Sequence, residues 1–219
     1  MLAKENGESL VPGKTLTISS SFTSGTDMKT VVEQDISDNS IICPAVLITT
    51  KKKSQLSDKE LTVAVINANG TIQRPFRYNA GSGTLGYGGT TWTDFNFTCT
   101  AGTVFYVIES NTESNSENYI PGKTITLSEN ITNGSNLKSS VESKLTDEGI
   151  TTIAAMFTSK EQTQWSNREF VCVPISNGAT FYQGYRKASG NNIEGKELTS
   201  TFDYFCSSGT QFYVVEVKE

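Results

Sequence analysis

The chain of 219 residues contains no histidine. This absence removes the most common general base, the Ser-His and Cys-His nucleophile pairs, and the most common metal ligand. A pair of carboxylates can catalyse hydrolysis without histidine, but the predicted strands carry few acidic residues. Two of these, Glu109 and Glu216, end predicted hairpin strands and are expected to face solvent. We therefore expect a protein that is not an enzyme.

Cysteine is also scarce. Four cysteines in 219 residues are too few for a disulfide scaffold. Cys99 and Cys206 occupy matching positions of the internal repeat described below, whereas Cys43 and Cys172 do not match each other. Two equivalent disulfides therefore cannot form, and the sequence predicts buried free thiols.

Long apolar runs are missing as well. None approaches the ~20 residues that a membrane-spanning helix needs, so we expect no membrane insertion. The N-terminal residues lack the apolar core of ~7–15 residues found in signal peptides, so we expect a protein that either is made and kept in a cytoplasm or has lost its leader. The low number of cysteines favours the first alternative. Cations are not clustered, because residues 1–110 carry 9 Lys/Arg against 10 Asp/Glu and residues 111–219 carry 9 against 13. A nucleic-acid partner is therefore not expected.

Motifs for metals and cofactors are absent too. No closely spaced run of Asp residues of the calcium-binding type occurs. The glycine-rich stretch at 80–89 lacks the Gly-Lys-Ser/Thr ending and the following helix of a phosphate-binding loop. We therefore expect no cofactor and no metal.

The strongest positive signal is a tandem repeat. The stretch Val11–Ile18 returns as Ile120–Leu127, and an offset of 109 residues aligns the halves for about forty positions without a gap. The offset later falls to 107, so the second half has lost two residues after Arg77. This spacing indicates duplicated domains rather than a short-period solenoid. We predict a first domain over 1–110 with a short tail at 1–7, a polar linker over 111–119, and a second domain over 120–219.

Each half carries a series of strand patterns. The alternating run at 14–18 predicts a half-buried first strand, and the apolar run at 61–66 predicts a fully buried one. Residues 93–99 and 104–109 predict a hairpin, which is repeated in the second half. Six or seven strands in about 100 residues predict an all-β fold, with each domain an Ig-like or jelly-roll-like β-sandwich.

One segment of each half is ambiguous. Met28, Val32 and Ile36 are spaced by four, a spacing that places them on one face of a helix and equally on one face of a strand. The segments 28–36 and 137–145 therefore predict either one short helix per domain or another strand.

Aromatic residues separate into two groups. Those kept in both halves are predicted to be core, namely Phe76/Tyr185, Phe95/Phe202, Phe97/Tyr204, Phe105/Phe212 and Tyr106/Tyr213. Tyr87 and Trp92, near the glycine-rich stretch, and Trp165, in a polar loop, occur in one half only. Because aromatic residues on loops are enriched at binding surfaces, these three are the candidate partner contacts.

These features together favour a structural or binding protein. In type, and not in any motif, the chain resembles bacteriophage virion surface proteins, on which tandem sandwich domains are common, either capsid decoration proteins or fibre components. The expected partners are virion structural proteins such as the major capsid or fibre proteins, and the expected location is the virion after synthesis in the host cytoplasm. The alternative is a cell-surface adhesin or carbohydrate-binding module that binds a glycan outside the cell. Duplicated domains often make pseudo-symmetric or repeated contacts, so a homo-oligomer is a further expectation.

Overall fold

The computed structural model describes residues 9–12, 14–87, 91–110 and 119–219, without the side chains of 9–12 and 119–121. The predicted tail at 1–7 and residues 111–118 of the predicted linker lie outside the described residues.

The first repeat contains helix α1 (Gly25–Asp38) and strands β1 (Ser9–Pro12), β2 (Lys14–Thr17), β3 (Ala45–Thr49), β4 (Leu61–Ile66), β5 (Ile72–Asn79), β6 (Thr84–Tyr87) and β7 (Val104–Glu109). The second repeat contains helix α2 (Gly134–Asp147) and strands β8 (Tyr119–Thr126), β9 (Ala154–Thr158), β10 (Phe170–Ile175), β11 (Gly184–Lys187), β12 (Ile193–Lys196) and β13 (Gln211–Glu216).

The strands form two antiparallel sheets that do not close. The first has the order β2-β7-β3-β4-β5-β6, and the second has the equivalent order β8-β13-β9-β10-β11-β12 with β1 added beside β8. The prediction of tandem, mostly β units is confirmed. The prediction of a β-sandwich within each repeat is wrong, because each repeat forms one six-stranded sheet and not two. The fully buried strands that suggested two sheets are covered by a helix on one side and by the other repeat on the opposite side.

The ambiguous segments form helices of 14 residues each. Ser24 caps α1 by accepting a hydrogen bond from Asp27 N at 3.1 Å, and Asn133 caps α2 by accepting one from Asn136 N at 2.9 Å. Such caps satisfy backbone donors that the first helical turn leaves unpaired. Met28, Val32 and Ile36 of α1 are buried against the sheet of the first repeat. Their equivalents in α2 are buried against the sheet of the second repeat, so each helix covers the outer face of one sheet.

The start of α1 lies against the chain before β7. Gly25 N donates to Phe95 O at 2.9 Å, and a Cβ atom placed on Gly25 would lie 2.5 Å from Trp92 O. We expect Gly25→Ala to lower the free energy of unfolding by about 1–3 kcal/mol, because this backbone contact must separate. Gly86→Ala is the control, since a Cβ atom there would lie 3.9 Å from its nearest neighbour, Arg77 O. Equal thermal unfolding midpoints for the two variants would contradict this prediction.

The inner faces of the two sheets share one hydrophobic core. Val46, Ile48 and Phe76 of the first repeat are buried in the same cluster as Phe157 and Tyr185 of the second. The fold is therefore a stack of four layers in the order helix, sheet, sheet, helix. The sandwich predicted inside each repeat is formed between the repeats.

The two repeats are related by an approximate two-fold axis. In the β1–β8 pair, Val11 lies opposite Ile120, which is its own equivalent in the other repeat. Hydrogen bonds between the repeats are reciprocal as well: Leu85 N donates to Ser176 Oγ at 3.1 Å, and Ile193 N donates to Asn67 Oδ1 at 3.2 Å. The chain therefore resembles a symmetric dimer whose two subunits are joined in one polypeptide.

The predicted hairpin over 93–109 is wrong in its first arm. Trp92–Asp94 form a 3₁₀ turn, and the following residues make only isolated bridges, Phe22 with Cys99 and Glu60 with Thr98. The second arm is β7, but it pairs with β2 and β3. The alternation in this segment reflects burial of Phe97 and Cys99 beneath the helix layer rather than membership of a sheet.

Most of the predicted core aromatics are buried. This holds for Phe76, Tyr185, Phe97, Tyr204, Phe105 and Phe212. Tyr106 and Tyr213 are partly buried and pack against the core between the sheets. Phe95 was predicted to be core but is 36% exposed, because the 3₁₀ turn leaves its ring beside the Arg77 guanidinium at the surface.

Candidate functional site

All four cysteines are free thiols, and three of them are buried. Burial raises the pKa of Cys43 to about 12, and it raises the pKa of Cys172 well above the ordinary range. Burial also raises the pKa values of Cys99 and Cys206. Because the thiolate is the reactive form, these groups are poor nucleophiles and poor metal ligands near neutral pH.

Acidic side chains of the strands serve the fold. Glu109 was expected to face solvent but is buried, where it accepts a hydrogen bond from Ile42 N at 2.8 Å and pairs with Lys14 at 2.9 Å. The equivalent Glu216 is partly exposed and pairs with Lys123 at 3.1 Å. Within the described ranges, no group of three or more Cys, Asp or Glu residues is arranged to hold a metal ion. No helix in those ranges is both long and apolar enough to cross a membrane.

The most distinctive surface feature is an aromatic pair at the junction of the two repeats. Tyr87 ends the edge strand β6 and is 45% exposed, and Tyr182 precedes β11 and is 52% exposed. Their ring centroids are 5.5 Å apart with planes inclined at 55°. The Arg74 guanidinium lies 5.6 Å from the Tyr87 ring centroid, within the range of a cation–π contact. We call Arg74, Tyr87 and Tyr182 the rim patch, since Tyr87 lies beside Phe76 at the edge of the core between the sheets.

The rim patch has no counterpart at the symmetry-related position. Gly195 lies opposite Tyr185 on the neighbouring strand, as Tyr87 lies opposite Phe76. In the repeat alignment, Gln73 is the equivalent of Tyr182, and Gln183 is the equivalent of Arg74. The Gln183 side chain covers Gly195, because a Cβ atom there would lie 2.7 Å from Gln183 Cδ. The two repeats are related by an approximate two-fold axis, but the aromatic pair occurs at only one of the two equivalent positions.

The three sequence-predicted contact residues occupy different environments. Tyr87 is exposed in the rim patch. Trp92 is partly buried against the core beneath α1. Trp165 is only 4% exposed, and its Nε1 donates to Lys160 O at 3.1 Å. The structure does not bring these three residues together, and Trp165 belongs to the core between the sheets.

Sequence reasoning overlooked Tyr182. The signal was present, because the 109-residue offset aligns Tyr182 with Gln73 and makes it an aromatic residue found in one half only. For Trp165 the useful signal was its alignment with Leu56, since both are apolar and both are buried between the sheets.

No protein-family model matches the chain, and neither curated proteins nor solved structures show significant similarity to it.

Proposed function

We propose that the protein is a non-enzymatic binding protein of a bacteriophage virion surface, which docks on another virion protein through the rim patch. The observation that carries the proposal is the exposed Tyr87–Tyr182 pair with the Arg74 guanidinium beside it. Tyrosine and arginine are the residue types that most often dominate the energy of protein interfaces. The virion setting rests on the composition and the tandem architecture.

The fold supports this role by holding the patch in place. Tyr87 and Tyr182 belong to different repeats, and the shared core between the sheets fixes one repeat against the other. The hydrogen bond from Leu85 N to Ser176 Oγ connects β6, which ends at Tyr87, to the loop between β10 and β11, which contains Tyr182. A preorganised surface loses less conformational entropy when it binds, which favours affinity.

Docking is tested with the double variant Tyr87→Ala/Tyr182→Ala. We expect affinity for particles that lack the protein to fall at least tenfold, because loss of an interface hot spot costs about 2 kcal/mol or more. The measurement is co-sedimentation of the purified protein with such particles. Gln73→Ala is the matched control, since it alters the position equivalent to Tyr182 and should leave docking unchanged.

The virion setting has its own test. Mass spectrometry of purified particles should find the protein at a fixed ratio to the shell protein. Absence from the particles would reject the setting, whereas presence with unimpaired docking of the double variant would reject only the rim patch as the contact.

A further inference from the structure

A groove with a cavity volume of about 460 Å³ opens on the second repeat, next to the turn that precedes β10. Its lining includes Thr132, Asn167, Arg168, Asp203 and Phe205. None of these residues belongs to the rim patch. The groove combines an exposed aromatic ring with several polar side chains, and its volume lies in the range of small-ligand pockets.

Two charged side chains in the groove are paired and accessible. The Arg168 guanidinium contacts the Asp203 carboxylate, and their side chains are 52% and 59% exposed. The backbone of Asp203 is held in turn by Arg186, which donates to its carbonyl oxygen and to the Glu194 carboxylate. The pair therefore offers a donor and an acceptor side by side without a net charge.

This donor and acceptor pair fits one kind of ligand group. A hydroxyl can donate and accept at once, so two adjacent hydroxyls can satisfy the guanidinium and the carboxylate together. The ring of Phe205 is 41% exposed and borders the same groove. An aromatic ring of this kind packs against the apolar C–H face of a pyranose ring. We propose that this groove binds a neutral carbohydrate through two adjacent hydroxyl groups, with Phe205 against the sugar ring.

The first repeat shows that the fold alone does not require these side chains. Arg168 and its equivalent Lys59 have the same left-handed backbone, with φ of 62° and 65°. Phe205 N donates to Arg168 O at 3.0 Å, just as Thr98 N donates to Lys59 O at 3.0 Å. The turn thus has the same left-handed residue position and the same hydrogen bond in both repeats, while Arg, Asp and Phe stand in the second where Lys, Asn and Thr stand in the first.

This correspondence provides a variant designed to fold. Arg168→Lys, Asp203→Asn and Phe205→Thr together give the second repeat the side chains that the same backbone already carries in the first. The probes are methyl α-D-mannopyranoside, methyl β-D-galactopyranoside and methyl β-D-glucopyranoside, each titrated into the full chain. Binding is read from saturable shifts of the backbone amide resonances in two-dimensional NMR spectra.

We expect at least one glycoside to shift the amides of Arg168 and Phe205 at millimolar concentration. The triple variant should lose about tenfold or more in affinity, since it removes the matched guanidinium and carboxylate together with the ring contact. Removing one of the two bound hydroxyls from that glycoside should weaken binding to a similar extent. Lys59→Ala is the control and should bind as the unmodified protein does. No saturable shift with any of the three glycosides, shifts confined to other residues, or full binding by the folded triple variant would overturn the assignment.

Discussion

Phe157→Ala is expected to lower the free energy of unfolding by about 3–5 kcal/mol, the usual cost of deleting a buried phenylalanine ring. Phe157 is fully buried on β9 in the core between the two sheets. Its ring centroid lies 6.2 Å from that of Trp165. Both walls of this core are sheets held by strand pairing, so they can move little to fill the cavity that the substitution leaves.

The measurement is denaturant unfolding followed by circular dichroism. We expect a single transition with a lower midpoint, because the two repeats bury their inner faces against each other. Phe205→Ala is the control, since that ring is partly exposed and lies outside the shared core, so its loss should cost about 1 kcal/mol or less. Two separate transitions, with only the second repeat affected, would contradict the shared core.

Glu169→Ala is expected to have the second large effect, about 3 kcal/mol, because it leaves a partly buried cation without its partner. The buried carboxylate of Glu169 pairs with Lys160 Nζ and accepts a hydrogen bond from Ser166 N at 2.7 Å. The substitution therefore also leaves a backbone donor unpaired. The first repeat holds an equivalent pair between Lys51 and Glu60, which indicates that this contact is part of the common fold.

A comparison of two ion pairs makes this prediction specific. Asp203→Ala removes a carboxylate whose pair with Arg168 is exposed, and such pairs contribute about 1 kcal/mol or less. The double variant Lys160→Ala/Glu169→Ala should be less destabilised than the sum of its single variants, since it removes both charges together. Unfolding midpoints measured for the four variants provide the test. Equal losses for Glu169→Ala and Asp203→Ala would show that burial of the pair contributes nothing.

Much of the fold could be predicted from the sequence because the two repeats can be compared with each other. The offset of 109 residues relates α1 to α2 and β3 to β9. The sequence alone could not decide between helix and strand at 28–36, because a spacing of four satisfies both periods. In the structure the segment is a helix that begins after Ser24, which caps it.

The number of sheets could not be predicted for a different reason. A strand buried on both faces, such as β4, has the same sequence pattern whether its second face meets a sheet of its own repeat or of another. Only the spatial relation of the repeats distinguishes these cases. The same relation decides that Trp165 is buried, although the polar residues around it suggested a surface loop.

The candidate site was predicted only in part. Tyr87 was identified from its occurrence in one half, but its neighbour Tyr182 is 95 positions further along the chain. The two meet because β6 of one sheet and the loop before β11 of the other come together at the rim of the shared core. The groove lined by Arg168, Asp203 and Phe205 likewise combines a turn with a segment distant in the chain, so no local sequence motif predicts it.

The order of strands in each sheet also has a consequence for synthesis of the chain. The last strand of each repeat lies between strands made much earlier, β7 between β2 and β3 and β13 between β8 and β9. While a ribosome is still producing the middle of a repeat, the centre of its sheet is therefore empty. Each sheet can be completed only after its final strand emerges, and β1 must wait for β8. Pairing between such distant segments is associated with slow folding, so the nascent chain exposes unpaired strands for longer than a protein built from local contacts.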